Sequence, residues 1–189
     1  MATFFNQASL NFNGVVTNSN LTEGELLSAL SISKTALNGA YGAGEELSYL
    51  ITVTNNSDAE RVFSLSDDLG AYVEGGALLY PLSYLTGSAR LYVNGVFTSL
   101  LTPATAEPLR FEGITLPSGA VATVAYSALV TAAAPIESGS LITNTATIVG
   151  TEESAQSTVG VRDEVSLTIA KAICPRTVSG GGSVSLPPM

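Results

Sequence analysis

Apolar and polar residues alternate along most of this 189-residue chain, which is the pattern of β-strands that bury one face. The clearest run is 47–53, where Leu47, Tyr49 and Ile51 form an apolar face and the polar residues 55–58 end the strand. The same pattern predicts further strands at 62–67, 89–93, 96–100, 109–116, 121–130, 142–149 and 157–165. Strands at this spacing predict an all-β chain that folds as an antiparallel β-sandwich.

Both ends of the chain lie outside this sandwich and carry strand patterns of their own. Residues 1–28 are expected to form two strands, 8–12 and 18–27, around the turn-forming pair Asn13-Gly14. Residues 165–174 predict one more strand, and the Gly- and Ser-rich residues beyond them predict a flexible tail. We therefore divide the chain into an N-terminal strand extension at 1–28, a sandwich at 29–165, and a C-terminal strand with a tail at 166–189.

The two extensions repeat parts of the sandwich. Residues 6–10 (Asn-Gln-Ala-Ser-Leu) resemble 144–148 (Asn-Thr-Ala-Thr-Ile), and 30–34 (Leu-Ser-Ile-Ser-Lys) resemble 167–171 (Leu-Thr-Ile-Ala-Lys). One whole repeat unit thus occupies the middle, preceded by the end of one unit and followed by the beginning of the next. A chain organised in this way is a natural candidate for head-to-tail assembly.

Several short segments of the central region occur in a characteristic order. They are Ser-Lys-Thr at 33–35, the strand 47–55, Ser-Leu-Ser-Asp-Asp-Leu at 64–69, Leu-Pro-Ser-Gly at 116–119 and Asn-Thr-Ala at 144–146. In this order they resemble the conserved-repeat domain of unknown function that recurs in tandem in bacterial cell-surface proteins, over roughly residues 29–165. The resemblance implies an immunoglobulin-like sandwich with a stalk, adhesive or structural role.

Composition narrows the possible functions. The formal net charge is −9 and no basic patch is present, which disfavours nucleic acids and anionic membranes as partners. The chain has no histidine, and Cys174 is its single cysteine, so the usual general base, the commonest metal ligand and an internal disulfide are all missing. No phosphate-binding glycine loop is present either. We therefore expect a protein that is not an enzyme and uses no cofactor or metal.

Three polar residues fall on apolar strand faces, namely Lys34, Asp67 and Asn144. A lysine and an aspartate that face a core are costly unless they are paired. Surface sandwiches of Gram-positive bacteria often contain a Lys–Asn isopeptide bond, and we hypothesise Lys34 as its nucleophile, Asn144 as acceptor and Asp67 as proton shuttle. The alternative is a buried ion pair between Lys34 and Asp67, with Asn144 capping backbone groups.

The extensions supply candidates for contacts between subunits. These are Asn6, Ala8, Leu10 and Phe12 on one face of the N-terminal extension, and Leu167, Ile169, Lys171 and Cys174 in the C-terminal strand. A strand of one subunit can extend a sheet of the next by main-chain hydrogen bonds. The alternative is that residues 1–28 fold back on their own sandwich. Cys174 could join subunits by a disulfide in an oxidising setting, or be an ordinary half-buried thiol.

These features predict a structural subunit that polymerises with itself, head to tail, into a bacterial surface or spore-associated fibre. The first residues lack a basic region followed by a long apolar run, so we expect an extracellular or spore-surface location without a conventional signal peptide. No stretch is long enough for membrane insertion. The alternative is an adhesin-like binding module that uses the apolar segment 71–85, with Tyr72, Tyr80 and Tyr84 as a contact loop. The same segment could instead cover an open end of the sandwich.

Overall fold

A computed structural model describes residues 2–26 and 28–162, and these residues form eighteen strands. The strands are β1 (Ala2–Asn6), β2 (Ser9–Phe12), β3 (Val15–Asn18), β4 (Thr22–Leu26), β5 (Leu30–Ala36), β6 (Ala40–Tyr41), β7 (Glu46–Asn55), β8 (Arg61–Asp67), β9 (Tyr72–Glu74), β10 (Ala77–Leu79), β11 (Leu82–Tyr84), β12 (Arg90–Val93), β13 (Val96–Leu100), β14 (Thr105–Ala106), β15 (Leu109–Leu116), β16 (Val121–Val130), β17 (Leu141–Ile148) and β18 (Ser154–Val161). No helix in this part of the chain is long and apolar enough to cross a membrane.

Strands from β5 onward form the predicted sandwich. One sheet has the order β13-β12-β16-β7-β5, with β11 also paired to β16, and the other has the order β14-β15-β8-β17-β18-β6. Among the described strands every pairing is antiparallel except that of β18 with β6. β9 and β10 form a separate hairpin. The prediction of an all-β, immunoglobulin-like antiparallel sandwich is confirmed.

The core lies between the two sheets and follows the alternation in the sequence. In β7 the side chains of Leu47, Tyr49 and Ile51 are buried, because successive side chains of a strand point to opposite faces. β16 and β17 alternate in the same way. Each large apolar side chain that is buried here contributes about 1.5–3 kcal/mol to folding. The same alternation carries a few polar side chains into the core.

The N-terminal extension, residues 2–26, is a two-stranded ribbon, and among the described strands its members pair only with one another. β1 pairs with β4, β2 pairs with β3, and Asn13-Gly14 closes the ribbon with φ angles of 51° and 80°. The sequence predicts two strands here. The predicted strand 8–12 corresponds to β2, whereas β1 was not predicted. The predicted strand 18–27 is interrupted at residues 19–21, where the Ser19 hydroxyl accepts a hydrogen bond from the Ala8 amide.

Two other segments differ from the prediction. Residues 71–85, expected as a loop, contain β9, β10 and β11, and β11 pairs with the end of β16. The last strand of the sandwich, predicted at 157–165, begins earlier, because the turn at Gly150 lets Ser154 pair directly with Thr147. The strand predicted at 165–174 lies outside the described residues.

The ribbon joins the sandwich at one end, and the described chain leaves it at the other. Ser28 precedes β5, and its hydroxyl donates a hydrogen bond to the carboxylate of Glu153, which precedes β18. Arg162 follows β18, and its N–H donates to the Tyr41 carbonyl in β6 at 2.7 Å. Because β5 and β18 run in the same direction, the two connections are separated by the length of a strand.

Candidate functional site

Strands β5 and β8 bring Lys34 and Asp67 together between the sheets. Alternation along β5 turns Lys34 to the buried side, as alternation along β8 does for Asp67. The two side chains are 0% and 1% exposed, and Lys34 Nζ lies 2.5 Å from Asp67 Oδ2. An isolated charge at this depth would be strongly destabilising, so each ion requires the other.

Tyr126 connects this pair to Asn144. Its hydroxyl donates to Asp67 Oδ2 at 2.7 Å and accepts a hydrogen bond from Asn144 Nδ2 at 3.0 Å. The second oxygen of Asp67, Oδ1, accepts from the Leu69 N–H at 3.1 Å. All three residues that the sequence singled out therefore belong to one buried group, termed here the lysine cluster (Lys34, Asp67, Tyr126 and Asn144).

Two stacked tyrosines lie against the lysine. The ring centroids of Tyr49 and Tyr126 are 5.5 Å apart, and Lys34 Nζ lies 5.1 Å and 5.9 Å from them. Sequence reasoning assigned a role to neither tyrosine. A signal was present, because both occupy buried positions of alternating strands. Alternation does not distinguish a tyrosine that only packs from one whose hydroxyl serves a polar cluster.

Burial shifts the protonation of this cluster. Desolvation lowers the pKa of Lys34, and the neighbouring Asp67 carboxylate opposes that shift. Burial also raises the pKa of Tyr126 and of Tyr49, and the charge of Asp67 is the second cause in both. Both phenols therefore keep their protons at neutral pH. Lys34 is closer to its neutral, nucleophilic form than a surface lysine is.

The amide of Asn144 is only half satisfied. Its Nδ2 donates to Tyr126, whereas its buried Oδ1 has no well-formed hydrogen bond among the described residues, and the same is true of the Tyr49 hydroxyl. The Asn144 amide nevertheless acts to lower the pKa of Tyr49, against the effect of burial. Its hydrogen bond goes to a side chain and not to the backbone, in contrast to the capping role considered above. The phenol of Tyr126 therefore contacts the amide nitrogen of Asn144 and not its carbonyl oxygen.

The three tyrosines of the expected contact loop are half-buried. The Tyr72 hydroxyl donates to the Ala133 carbonyl at 2.8 Å. Tyr84 packs edge-on against Phe111, with ring centroids 6.3 Å apart, and Tyr80 packs at the margin of the core. Tyr84 in particular packs inside the sandwich.

The candidate inter-subunit residues of the N-terminal extension lie in the ribbon. Asn6, Ala8, Leu10 and Phe12 are all exposed, as is every side chain from 4 to 23. Leu10 and Phe12 share one face of the ribbon, because they are two positions apart in β2. The remaining candidates, Leu167, Ile169, Lys171 and Cys174, lie outside the described residues.

Other charged side chains form exposed pairs. Arg110 Nε lies 2.8 Å from Glu112 Oε1, and Arg162 pairs with Glu45. Pairs at this exposure contribute little to stability, because solvent screens their attraction. Within residues 2–26 and 28–162, no group of three or more His, Cys, Asp or Glu side chains could hold a metal ion.

Comparison with known proteins gives only distant matches. No protein-family model matches the chain, and no curated protein matches it significantly. Similar solved structures include the pilus backbone of Streptococcus pneumoniae (15% identity, TM-score 0.49, 64% of this chain and 52% of that one) and the major pilin subunit of Bacillus cereus (15%, 0.49, 84% and 47%). The collagen-binding domain of a Staphylococcus aureus adhesin is another (12%, 0.40, 70% and 99%). This chain spans about half the length of the two pilins, and likeness at this level carries no conclusion about its function.

Proposed function

We propose that this protein is a structural subunit that assembles head to tail with copies of itself into a fibre on a bacterial cell or spore surface. The N-terminal ribbon carries the proposal. An isolated two-stranded ribbon is at best marginally stable in water, so a third strand or a packing surface is needed to hold it. The ribbon instead exposes a set of large apolar side chains, namely Phe4, Phe5, Leu10, Phe12, Val15, Val16 and Leu21. A neighbouring subunit would supply the missing contact.

Strand addition is available along both edges of the ribbon. β1 pairs only with β4, and β2 only with β3, so the outward-facing N–H and C=O groups of these strands have no strand partner among the described residues. Edges of this kind accept an added strand by forming main-chain hydrogen bonds. The proposal therefore needs no further structure in the ribbon beyond the strands already formed.

Repeat pattern and topology together favour the head-to-tail arrangement. Residues 6–10 of the ribbon resemble 144–148 in β17, and 167–171 resemble 30–34 in β5. In the sandwich, β5 lies next to β18, the hairpin partner of β17. Residues 167–171 resemble β5, and part of the ribbon resembles the hairpin of β17 and β18. Residues 167–171 of one subunit would therefore contact the ribbon of the next subunit much as β5 contacts that hairpin. Because the ribbon and the segment after β18 leave opposite ends of the sandwich, this contact repeats along a filament.

We further propose that the lysine cluster closes an isopeptide bond. The neutral Nζ of Lys34 attacks Cγ of Asn144, the Cγ–Nδ2 bond breaks, and Nδ2 leaves as ammonia with a proton that Nζ gives up. A hydrogen-bonded path already joins these two nitrogens through Asp67 and the Tyr126 hydroxyl, with distances of 2.5, 2.7 and 3.0 Å. The product ties β5, which continues from the ribbon, to β17 in the other sheet. Tension along a fibre would then not pull β5 away.

Intact mass under denaturing conditions tests this bond. We expect the protein to be one ammonia lighter than its sequence, and Lys34→Met to restore the full mass. Tyr126→Phe keeps the ring but interrupts the proton path, so the light form should accumulate more slowly in that variant. A full mass for the unsubstituted protein would contradict the bond and leave a buried ion pair.

Two valines that follow Asn-Gly turns provide a matched test of the fibre proposal. Val15, in the ribbon, is 67% exposed, and Val96, in β13, is 69% exposed. Val15→Asp should abolish sedimentable polymer, because it puts a charge in the proposed contact, whereas Val96→Asp should leave polymer formation intact. Circular dichroism should show the same β content in both variants. Polymer that survives Val15→Asp would contradict a role for the ribbon.

A further inference from the structure

A cleft opens at the end of the sandwich where the chain leaves β18. Its volume is about 610 Å³, and Ala43, Ile136 and Val161 line it together with Glu45 and Arg162. Ile136 is 61% exposed, although isoleucine is among the residue types most often buried. This end lies opposite the attachment of the ribbon. In a head-to-tail filament it therefore faces the ribbon of the neighbouring copy.

The charges in the cleft cancel one another. The Arg162 guanidinium donates two hydrogen bonds to the Glu45 carboxylate, from Nη1 to Oε1 at 2.5 Å and from Nη2 to Oε2 at 2.9 Å. Arg162 also holds the pKa of Glu45 below its usual range. A chain with a net charge of −9 repels its own copies, so contact between copies is most favourable where neither surface brings a net charge.

The tip of the ribbon, residues 9–18, meets this requirement. No charged side chain occurs from residue 2 to residue 22. Leu10, Phe12 and Val15 lie on the same face of the tip, and all three are exposed. The tip is only two strands wide, so it presents these apolar side chains on a narrow projection that a cleft can receive.

We propose that the ribbon tip of one copy inserts into the cleft around Ile136 in the next copy. This inference rests on the proposed function and names the surface that receives the ribbon. The tip's apolar face packs on Ile136 and Val161, and the paired Glu45 and Arg162 form the polar rim of the contact.

Disulfide trapping between two singly substituted chains tests this contact. One chain carries Val15→Cys and the other Ile136→Cys, both with Cys174→Ser, and they are mixed under mild oxidation. We expect a disulfide-linked heterodimer as the main product. A control mixture replaces the second chain with Val62→Cys, an exposed valine on β8 away from the cleft, and should give little heterodimer.

Each alternative result overturns a defined part of the proposal. If no heterodimer forms while the unsubstituted chain still makes polymer that depends on residues 1–28, the cleft assignment falls and the fibre proposal stands. If a chain with both Val15→Cys and Ile136→Cys closes only within one molecule, the ribbon folds back and both proposals fall. If the thiol of Ile136→Cys is blocked until residues 163–189 are removed, the chain's own C-terminal segment fills the cleft, which also overturns the assignment.

Discussion

Two hairpins of this chain have nearly identical Asn-Gly turns and very different surroundings. The φ angles are 51° and 80° at Asn13-Gly14, and 50° and 78° at Asn94-Gly95. In the second hairpin, β12 also pairs with β16, and Leu91 is buried in the core. The ribbon has no third strand among the described residues, and its side chains from 4 to 23 are exposed on both faces.

The comparison shows that the residues that form a hairpin do not determine what the hairpin packs against. The Asn-Gly turn and the flanking alternation are sufficient to specify either hairpin locally. Burial then depends on a neighbouring strand, which β12 has within its own chain and the ribbon lacks among residues 2–26 and 28–162. The ribbon is thus a complete hairpin whose apolar side chains have no packing partner among the described residues, whereas β12 and β13 are part of the sandwich. The following predictions compare these two kinds of structure.

The largest loss of stability is expected from substitutions in the lysine cluster, which has no counterpart in the ribbon. Lys34→Met leaves the Asp67 carboxylate buried without its cation wherever the proposed bond has not formed, and it removes the cross-link wherever that bond has formed. The free energy of unfolding should therefore fall by at least about 3–5 kcal/mol. Lys34→Met combined with Asp67→Leu should recover part of this loss, because no unpaired charge remains. Urea denaturation in a Val15→Asp background keeps assembly out of the measurement. A double variant as unstable as Lys34→Met would contradict the importance of the unpaired carboxylate.

Equivalent truncations in the core and in the ribbon should lower the free energy of unfolding by amounts that differ severalfold. Ile51→Ala removes a fully buried side chain, and we expect a loss of about 2–5 kcal/mol in the free energy of unfolding. Leu10→Ala removes an exposed one, so unassembled protein should change by no more than about 0.5 kcal/mol. Urea unfolding of both variants measures the difference. A comparable loss for Leu10→Ala would mean that the ribbon packs on its own sandwich.

Two glycines with similar backbone angles allow a smaller comparison. Gly70 has a φ of 72°, and an added Cβ would lie 2.8 Å from Ile142 Cγ2, whereas Gly14 has a φ of 80° and open space around it. Gly14→Ala should cost about 1–2 kcal/mol of backbone strain and loosen only the ribbon. Gly70→Ala adds a steric clash and should destabilise the whole sandwich. Amide hydrogen exchange, resolved by segment, distinguishes these outcomes.

The smallest expected effect is a loss of stability at alkaline pH. It concerns the core and not the ribbon, because the ribbon contains no tyrosine and the core contains several. The pKa of Tyr126 is raised above its ordinary value of 10.0, so folded Tyr126 keeps its proton where the unfolded chain loses it. The corresponding stability is complete below pH 10 and decreases as the pH rises towards the folded pKa. The free energy of unfolding should therefore fall more steeply above pH 10 in the unsubstituted protein than in Tyr126→Phe. Parallel curves would contradict the shift.

Alternation in the sequence predicted the strands of the sandwich and the buried orientation of Lys34, Asp67 and Asn144, because a period of two depends only on the chain itself. The role of Tyr126 could not be found in this way. β16 and β8 belong to different sheets, so the hydrogen bond from Tyr126 to Asp67 crosses the core. Such contacts depend on the order of strands in the sheets, and the alternation within a single strand does not indicate that order.

The ribbon shows a similar limit. Asn13-Gly14 predicted a turn, and the structure has one there. β1 and the interruption between β3 and β4 were not predicted. The interruption arises because the Ser19 hydroxyl accepts the Ala8 N–H in place of a backbone carbonyl. Side-chain competition of this kind depends on which residues face each other, and therefore on a register that the turn and the interruption together establish.

One experiment separates a fibre subunit from a monomeric domain. Negative-stain electron microscopy at neutral pH would compare the full chain with a variant that lacks residues 1–28. We expect uniform filaments from the full chain and dispersed, folded particles from the variant. Dispersed particles from the full chain, or filaments from both proteins, would contradict assembly through the ribbon.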